Sequence, residues 1–332
     1  MRRLLKLVLF IALSTLIYYS LPILHKKDND GNRYAYVVLN SNKKSLFSTL
    51  LILYQLKKNK CRAGKYVIMI PDTLESYASL FQKILTYKIV TYNDAMPLFE
   101  PRYSVMSQST AVRDRILWQK LRAWNITEYE TVILLDNDIL VRKNIDHLFD
   151  LRGVSGVPAV FDDEKIIFWD PNELQSLAKV TEVRKDEDGL NGGLIVLNPN
   201  EADFNDLVQS AASYTNRTCC PSQEFIFRHF KARRRFHKLS YRYNMRKLHR
   251  RNGIKPDTIA VYHFVERRKP LHLGKRLSSG DIMAKEWWDN AEEFIEITRR
   301  ACVNEHSANI EACSAFEEVK RLAVNFDHEH DN

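Results

Sequence analysis

The chain has 332 residues, a length that fits one large α/β domain with accessories or two small domains. Apolar residues make up 45% and charged residues 27%, so a sizeable packed core is expected and a polytopic membrane protein is excluded. The formal net charge of +9 at pH 7 favours anionic partners such as phosphate-bearing small molecules, anionic lipid or nucleic acid, without choosing among them.

In chain order, residues 1–6 are basic, with Arg2, Arg3 and Lys6. Leu7 to Leu24 then carries no charge over 18 residues, the lower limit for a membrane-spanning helix. This pattern predicts a cytoplasmic tail (1–6), a signal anchor (7–24), a short polar stem (25–33) and a lumenal domain (34–332) with a C-terminal helical extension. A cleaved signal peptide is the rival reading. Two acceptor sequons, Asn125-Ile-Thr127 and Asn216-Arg-Thr218, agree with translocation; Asn125 stands just before an apolar strand and is expected to be partly buried.

From Tyr34 the pattern alternates. Tyr34–Leu39 reads as a strand, Ser45–Lys57 as a helix, Lys65–Ile70 as a strand, and Leu74–Leu85 as a helix. A short strand at Lys88–Tyr92 follows, then an amphipathic helix at Arg113–Trp124 and a strongly apolar strand at Thr131–Leu135. Continuous apolar strands separated by helices predict a mostly parallel sheet with flanking helices, whose ligands bind beyond the carboxyl ends of the strands. Gly189–Leu197 reads as a Gly-punctuated strand, Glu201–Tyr214 as a helix, Ala260–Val265 as a strand, and Trp287–Ala323 as mostly helical. Arg228–Arg251 is dense in basic residues, and a solvated face is the favoured reading of its Arg233-Arg-Arg235 run. No nucleic-acid-binding motif is present, and nucleic acid is not an expected partner. Trp287-Trp288 is read as core packing or a membrane-proximal contact, and His328-Glu-His330 as part of a frayed tail. Of five cysteines, Cys302 and Cys313 flank a short polar segment and read either as a local disulfide or as two independent surface thiols.

Thr131–Leu135 ends in Asp136-Asn137-Asp138. In an extended segment two carboxylates two residues apart face one side and can hold a hard cation that bridges a diphosphate. The tripeptide alone is weak, since Asp28-Asn-Asp30 repeats it and Asp186-Glu-Asp188 is similar. The copy at 136 differs in capping a buried strand, where uncompensated carboxylates are costly.

The stretch Lys120-Leu-Arg-Ala-Trp124, then Val132-Ile-Leu-Leu-Asp-Asn-Asp138, then Asn144-Ile-Asp-His-Leu-Phe149 resembles glycosyltransferase family 8, which includes the glycogenins. Asp188-Gly-Leu-Asn191-Gly-Gly193 and Tyr262-His263-Phe264, followed by Lys269-Pro270, match that family's later motifs in order. Within the family, the Leu-Asp-Asn-Asp form and Glu311–Phe316 look closest to fungal Golgi N-acetylglucosaminyltransferases. The resemblance implies a GT-A fold and retaining transfer from a UDP-sugar, with N-acetylglucosamine as the expected sugar and a glycan or glycoprotein as acceptor. It implies manganese or magnesium held by Asp136, Asp138 and His263. Asn42, Lys120, Asn137, Asn191, Gly192 and Lys269 would bind the donor, and Asp188 and Gln223 would be catalytic. With the anchor, it places the enzyme in the Golgi membrane as a single-pass type II protein. Ser222 stands where the family carries Asp, with Glu224 as a substitute; Ser45 replaces a Tyr near the uridine, and Leu271 a Trp. A UDP-glucose, galactose or xylose transferase of the same fold is the alternative, and a decayed, membrane-tethered glycan-binding protein is the non-enzyme one.

Overall fold

The computed structural model describes residues 33–61, 65–93, 98, 116–159, 189–215, 221–246, 255–265, 269–271, 274–275, 281–304 and 310–324. The anchor, nearly all of the stem, the Asn216 sequon, the Asp186-Glu-Asp188 copy with its Asp188, and the C-terminal tail lie outside them. No helix among the described residues is long and apolar enough to cross a membrane.

β1 (Tyr34–Leu39) is buried on both faces, and its side chains alternate between two cores. Tyr36 and Val38 enter one apolar cluster, and Ala35, Val37 and Leu39 the other, as the period of two requires. α1 (Leu46–Lys58) buries every residue from Leu46 to Leu56. A helix apolar all round needs cover on both sides. β2 (Lys65–Pro71) and β3 (Lys88–Tyr92) continue the sheet with parallel pairing, β1 to β2 and β2 to β3.

The helix expected at Leu74–Leu85 is broken. It consists of a 3-10 turn at Asp72–Leu74, α2 (Glu75–Ser79) and a second 3-10 turn at Leu80–Lys83. The Tyr87 hydroxyl donates to the Ala78 carbonyl and so competes with the next turn of helix for that acceptor. The helix expected at Arg113–Trp124 holds as α-helix at 116–118 and changes beyond them, while 113–115 lie outside the described residues. Gln119–Asn125 is 3-10, and Gln119, Lys120, Leu121, Ala123 and Trp124 are all buried, more than one face of an amphipathic α-helix would cover. Asn125 is exposed, contrary to expectation.

β4 (Thr131–Leu135) is wholly buried and pairs parallel with β1. β5 (Ile139–Val141) leaves the main sheet. β6 (Val154–Pro158) and β7 (Leu190–Leu197) return to it antiparallel to one another, and β7 is antiparallel to β4. α3 (Glu201–Ala212) is capped by Asn200, whose side chain accepts from the Asp203 amide. α4 (Pro221–Ala232) leads into β8 (Phe236–Lys238). Among the described residues the main sheet thus runs β3-β2-β1-β4-β7-β6-β8, parallel in its first half and mixed beyond β4. β9 (Val261–His263) pairs antiparallel with β5 in a separate two-stranded ribbon.

The basic run is a set of ion pairs. Arg228 pairs with Glu224, Arg233 with Asp206, and Arg235 with Asp203, at 2.6–2.8 Å.

α5 (Ile282–Asn304) and α6 (Ile310–Val324) form a hairpin that covers α1. Phe47 of α1 sits among Trp287, Phe294 and Phe316, with ring centroids 6.1–6.4 Å away. Trp287 and Trp288 are both buried core residues. Cys302 and Cys313 are joined by a disulfide across the hairpin.

Candidate active site

Two ladders meet at the end of β4. The Asp136 amide donates to the Gly193 carbonyl (3.0 Å), extending the β4–β7 pairing by one residue. The chain then turns through Asn137 and enters β5, where Ile139 pairs with His263 of β9. The Phe264 amide closes the ribbon on the Asp138 carbonyl at 2.9 Å. Asp136, Asp138 and His263 are therefore brought together by backbone pairing, with ligand atoms all within 4.8 Å of one another.

The donors suit a hard divalent cation, two carboxylates and an imidazole. Asp138 Oδ1 is buried and has no hydrogen-bond partner among the described residues. It lies 3.1 Å from His263 Nε2, so both atoms border the same small space. A buried carboxylate oxygen that faces an imidazole nitrogen without a well-aligned hydrogen bond fits an ion. Burial pushes the Asp138 carboxyl up, but His263 and Lys269 outweigh it and hold the group ionised, well below the usual carboxylate range. Burial likewise lowers the Lys269 ammonium, and the Asp138 and Asp136 carboxylates more than restore it, leaving it raised.

Lys269 Nζ is 2.9 Å from Asp138 Oδ2. Lys120 is 1% exposed, its ammonium held by Asp136 Oδ1 at 2.6 Å and the Gly192 carbonyl at 3.0 Å. Asp136 and Asp138 thus each have one lysine. A Cβ on Gly192 would lie 2.8 Å from Lys120 Nζ, so a glycine there lets the lysine approach the strand. Gln223, in the first turn of α4, accepts the Gly192 N–H at 2.8 Å. Ser222 is fully buried, and Glu224 pairs with Arg228.

Beside the triad lies a cavity of about 280 Å³. Its lining includes the polar side chains of Asn42, Ser45, Asn137, Asp138 and Lys269 and the apolar ones of Leu271, Trp287 and Leu322. Asn42 Oδ1 accepts the Ser45 N–H at 3.0 Å, which shapes the loop entering α1.

The structure thus assembles Asp136, Asp138, His263, Lys120, Lys269, Gly192, Gln223 and Asn191 around one point. Asn42 and Asn137 fall on the adjoining cavity. Sequence reasoning read Trp287 as core packing or a membrane-proximal contact and Leu322 as part of a helical stretch, and assigned neither to the site. It also missed Asn244, which is fully buried and donates from Nδ2 to Asn191 Oδ1 at 2.7 Å.

The profile described as Glycosyl transferase family 8 matches residues 36–272. Galactinol synthase 5 of Arabidopsis thaliana is 28% identical over 287 residues, 80% of this chain and 83% of that protein. Uncharacterized protein R707 of Acanthamoeba polyphaga mimivirus is 25% identical over 271 residues, 79% of this chain and 90% of that one. Among solved structures, the bifunctional glycosyltransferase WbbM superposes with a TM-score of 0.53 at 14% identity, covering 81% of this chain and 52% of that one. The apo form of glycosyltransferase GlyE from Streptococcus pneumoniae gives 0.52 at 13%, covering 82% and 64%. The fold is accordingly of the GT-A type, and the chain belongs to glycosyl transferase family 8 and is a glycosyltransferase.

Proposed function

We propose that the enzyme transfers a hexosyl residue, galactose first among the candidates, from a UDP-sugar to a hydroxyl acceptor with retention of configuration. The observation that carries this reading is the convergence of Asp136, Asp138 and His263 beside a cavity lined in part by Asn137, Asp138 and Lys269, with one lysine on each aspartate. The relatives support a hexose: a galactinol synthase aligns over most of its length. They lend no support to N-acetylglucosamine, so that expectation gives way to its alternative.

The side chains divide the work. Asp136, Asp138 and His263 would hold a divalent cation, manganese or magnesium. That ion supplies Lewis-acid stabilisation of negative charge on the departing diphosphate. Lys269, a half-buried residue of the cavity lining, adds a fixed positive charge to the same region. Lys120 holds Asp136 in place from beneath, because its ammonium is enclosed by protein. Asn42 and Ser45, just before α1, also line the cavity and offer a place for the nucleoside. Gln223 fixes the Gly192 amide, and with it the part of β7 that would face the sugar. A glycan or other polyol is the acceptor class.

We also place the enzyme in the Golgi membrane as a type II protein with its catalytic domain lumenal. The Cys302–Cys313 disulfide supports an oxidising compartment, and the exposed Asn125 sequon agrees with it.

The test is calorimetric titration of the protein with UDP-galactose, UDP-glucose, UDP-xylose and UDP-N-acetylglucosamine, with and without manganese, beside Asp136→Ala. Manganese-dependent binding of one hexose donor, lost in the variant, is the expected result. Binding of none, or tightest binding of UDP-N-acetylglucosamine, would overturn the assignment.

A further inference from the structure

Asn244 is not a candidate ligand for anything, yet the site is arranged around it. It follows the 3-10 turn Tyr241–Tyr243 and is 0% exposed. Its neighbour Met245 is fastened to the ribbon from both sides: the Met245 amide donates to the Val261 carbonyl (3.0 Å), and the His263 amide donates to the Met245 carbonyl (2.7 Å). The backbone that carries Asn244 is thus pinned to the strand that carries His263.

The hydrogen bonds fix every orientation in turn. Asn244 Nδ2 lies 3.1 Å from the Asn191 backbone carbonyl, which can only accept, and 2.7 Å from Asn191 Oδ1. Its amino group must therefore face Asn191. The Gly193 backbone amide, which can only donate, also reaches Asn191 Oδ1, at 3.1 Å. Two obligate donors leave Asn191 no choice but to present its oxygen. That oxygen lies 2.8 Å from His263 Nδ1. A ring nitrogen against an amide oxygen carries a proton, so Nδ1 is committed as a donor and Nε2 is the ring nitrogen left for a cation to take. Nε2 is the atom that faces Asp138. The fold accepts a cost for this arrangement. Asn244 Oδ1 is buried and has no hydrogen-bond partner among the described residues. Leaving such an oxygen unsatisfied costs about 1–3 kcal/mol, and it persists because turning the amide would set Oδ1 against two other oxygens.

We propose that Asn244 is a positioning residue for the metal centre: it orients the Asn191 amide, which holds a proton on His263 Nδ1 and so reserves Nε2 for the cation. The inference rests on the reading of Asp136, Asp138 and His263 as a cation site. It acts through Asn191 and His263, and Asn244 itself touches neither donor nor metal. Residues in this supporting position typically change metal affinity by about 10–100-fold.

The test measures Mn²⁺ affinity by electron paramagnetic resonance, with folding followed by circular dichroism. Asn244→Ala is expected to weaken Mn²⁺ binding by about 10–100-fold. Asn191→Asp is the discriminating background, because a carboxylate presents an oxygen whichever way it is turned. In that background Asn244→Ala should change affinity by less than about twofold, a rescue that a merely structural role for Asn244 would not give. Full Mn²⁺ affinity in a folded Asn244→Ala protein would overturn the proposal, as would an equal loss in both backgrounds. If Asn244→Ala does not fold, the wild-type ring decides by ¹⁵N NMR at pH 8: a proton on Nδ1 supports the proposal, and an unprotonated Nδ1 overturns it. Failure of the wild type to bind Mn²⁺ at all would instead remove the cation-site reading, and this inference with it.

Discussion

Gly193 offers the sharpest test of how closely the centre is packed. A Cβ built at that position would lie 2.3 Å from His263 Nδ1, 2.6 Å from its Cε1 and 2.7 Å from Asn244 Oδ1. Ordinary contact begins near 3.4 Å, so in Gly193→Ala the imidazole must retreat by roughly 1 Å, since interiors are packed too closely to absorb an added methyl. Metal–ligand distances tolerate only about 0.2 Å. A misplacement of about 1 Å typically costs about 10²-fold. We therefore expect Gly193→Ala to weaken Mn²⁺ binding by about 100-fold, or about 3 kcal/mol, with a similar fall in kcat/KM for donor cleavage. The neighbouring Gly192→Ala is the control. Its Cβ would meet Lys120 Nζ at 2.8 Å and Gln223 Cγ at 3.1 Å, the outer parts of longer side chains that can shift, so the loss should stay within about tenfold. Both variants can be compared by manganese titration and donor hydrolysis. A folded Gly193→Ala protein that binds Mn²⁺ within about threefold of wild type would refute the steric reasoning.

Three other outcomes follow from the same structure. Because the folded Asp138 carboxyl is held below its unfolded value of about 4, its contribution to stability is complete above that pH and is lost only as pH falls toward the folded value. In the metal-free protein a ¹³C titration should show no Asp138 protonation step between pH 7 and 4, and a step in that window would contradict the ion pairing with His263 and Lys269. The Cys302–Cys313 bond closes a local loop of separation 11, worth up to about 3 kcal/mol on chain-entropy grounds. Replacing both cysteines by Ala should lower the melting temperature by several degrees and raise KM for the donor, since Leu322 of the same hairpin lines the cavity; an unchanged KM would sever that link. Finally, full-length protein made in a eukaryotic secretory host should lose mass on glycosidase treatment in an Asn125-dependent manner, checked with Asn125→Gln on a denaturing gel. An Asn125→Gln chain that shifts as much as wild type would remove Asn125 from the acceptor sites.

The parallel half of the fold is legible because its strands are buried on both faces. Tyr34–Leu39, Lys65–Ile70 and Thr131–Leu135 are each a nearly continuous apolar run, and each appears as a strand within a residue of its expected limits. β5 and β8 are three residues long, too short to carry a period, and β6 is built from Val154-Ser-Gly-Val-Pro158, which lacks a clear alternation. The direction of β7 was equally hidden, because strands buried on both faces read alike whichever way they run. At the site, Asp136, Asp138, His263, Lys120 and Lys269 could be found from ordered motifs. Asn244 could not: its role comes from contacts with Asn191, far away in sequence, and a single buried asparagine after Tyr241-Arg-Tyr243 leaves no pattern. Asn191 was expected to bind the donor, and the contact of its side-chain oxygen with His263 left no signal in the sequence.

The β5–β9 ribbon has a consequence for when the enzyme comes to exist as an enzyme. Asp136 and Asp138 leave the ribosome with the first half of the sheet, but His263 joins them only when β9 has been made and laid against β5 in register, Ile139 opposite His263. A slip of one residue would turn His263 to the opposite side of the ribbon. A chain that is truncated early, or that docks β9 out of step, would keep its two aspartates yet lack the third ligand. Competence to use a donor therefore arrives late and all at once, and the metal centre acts as a check that the two halves of the protein have found each other correctly.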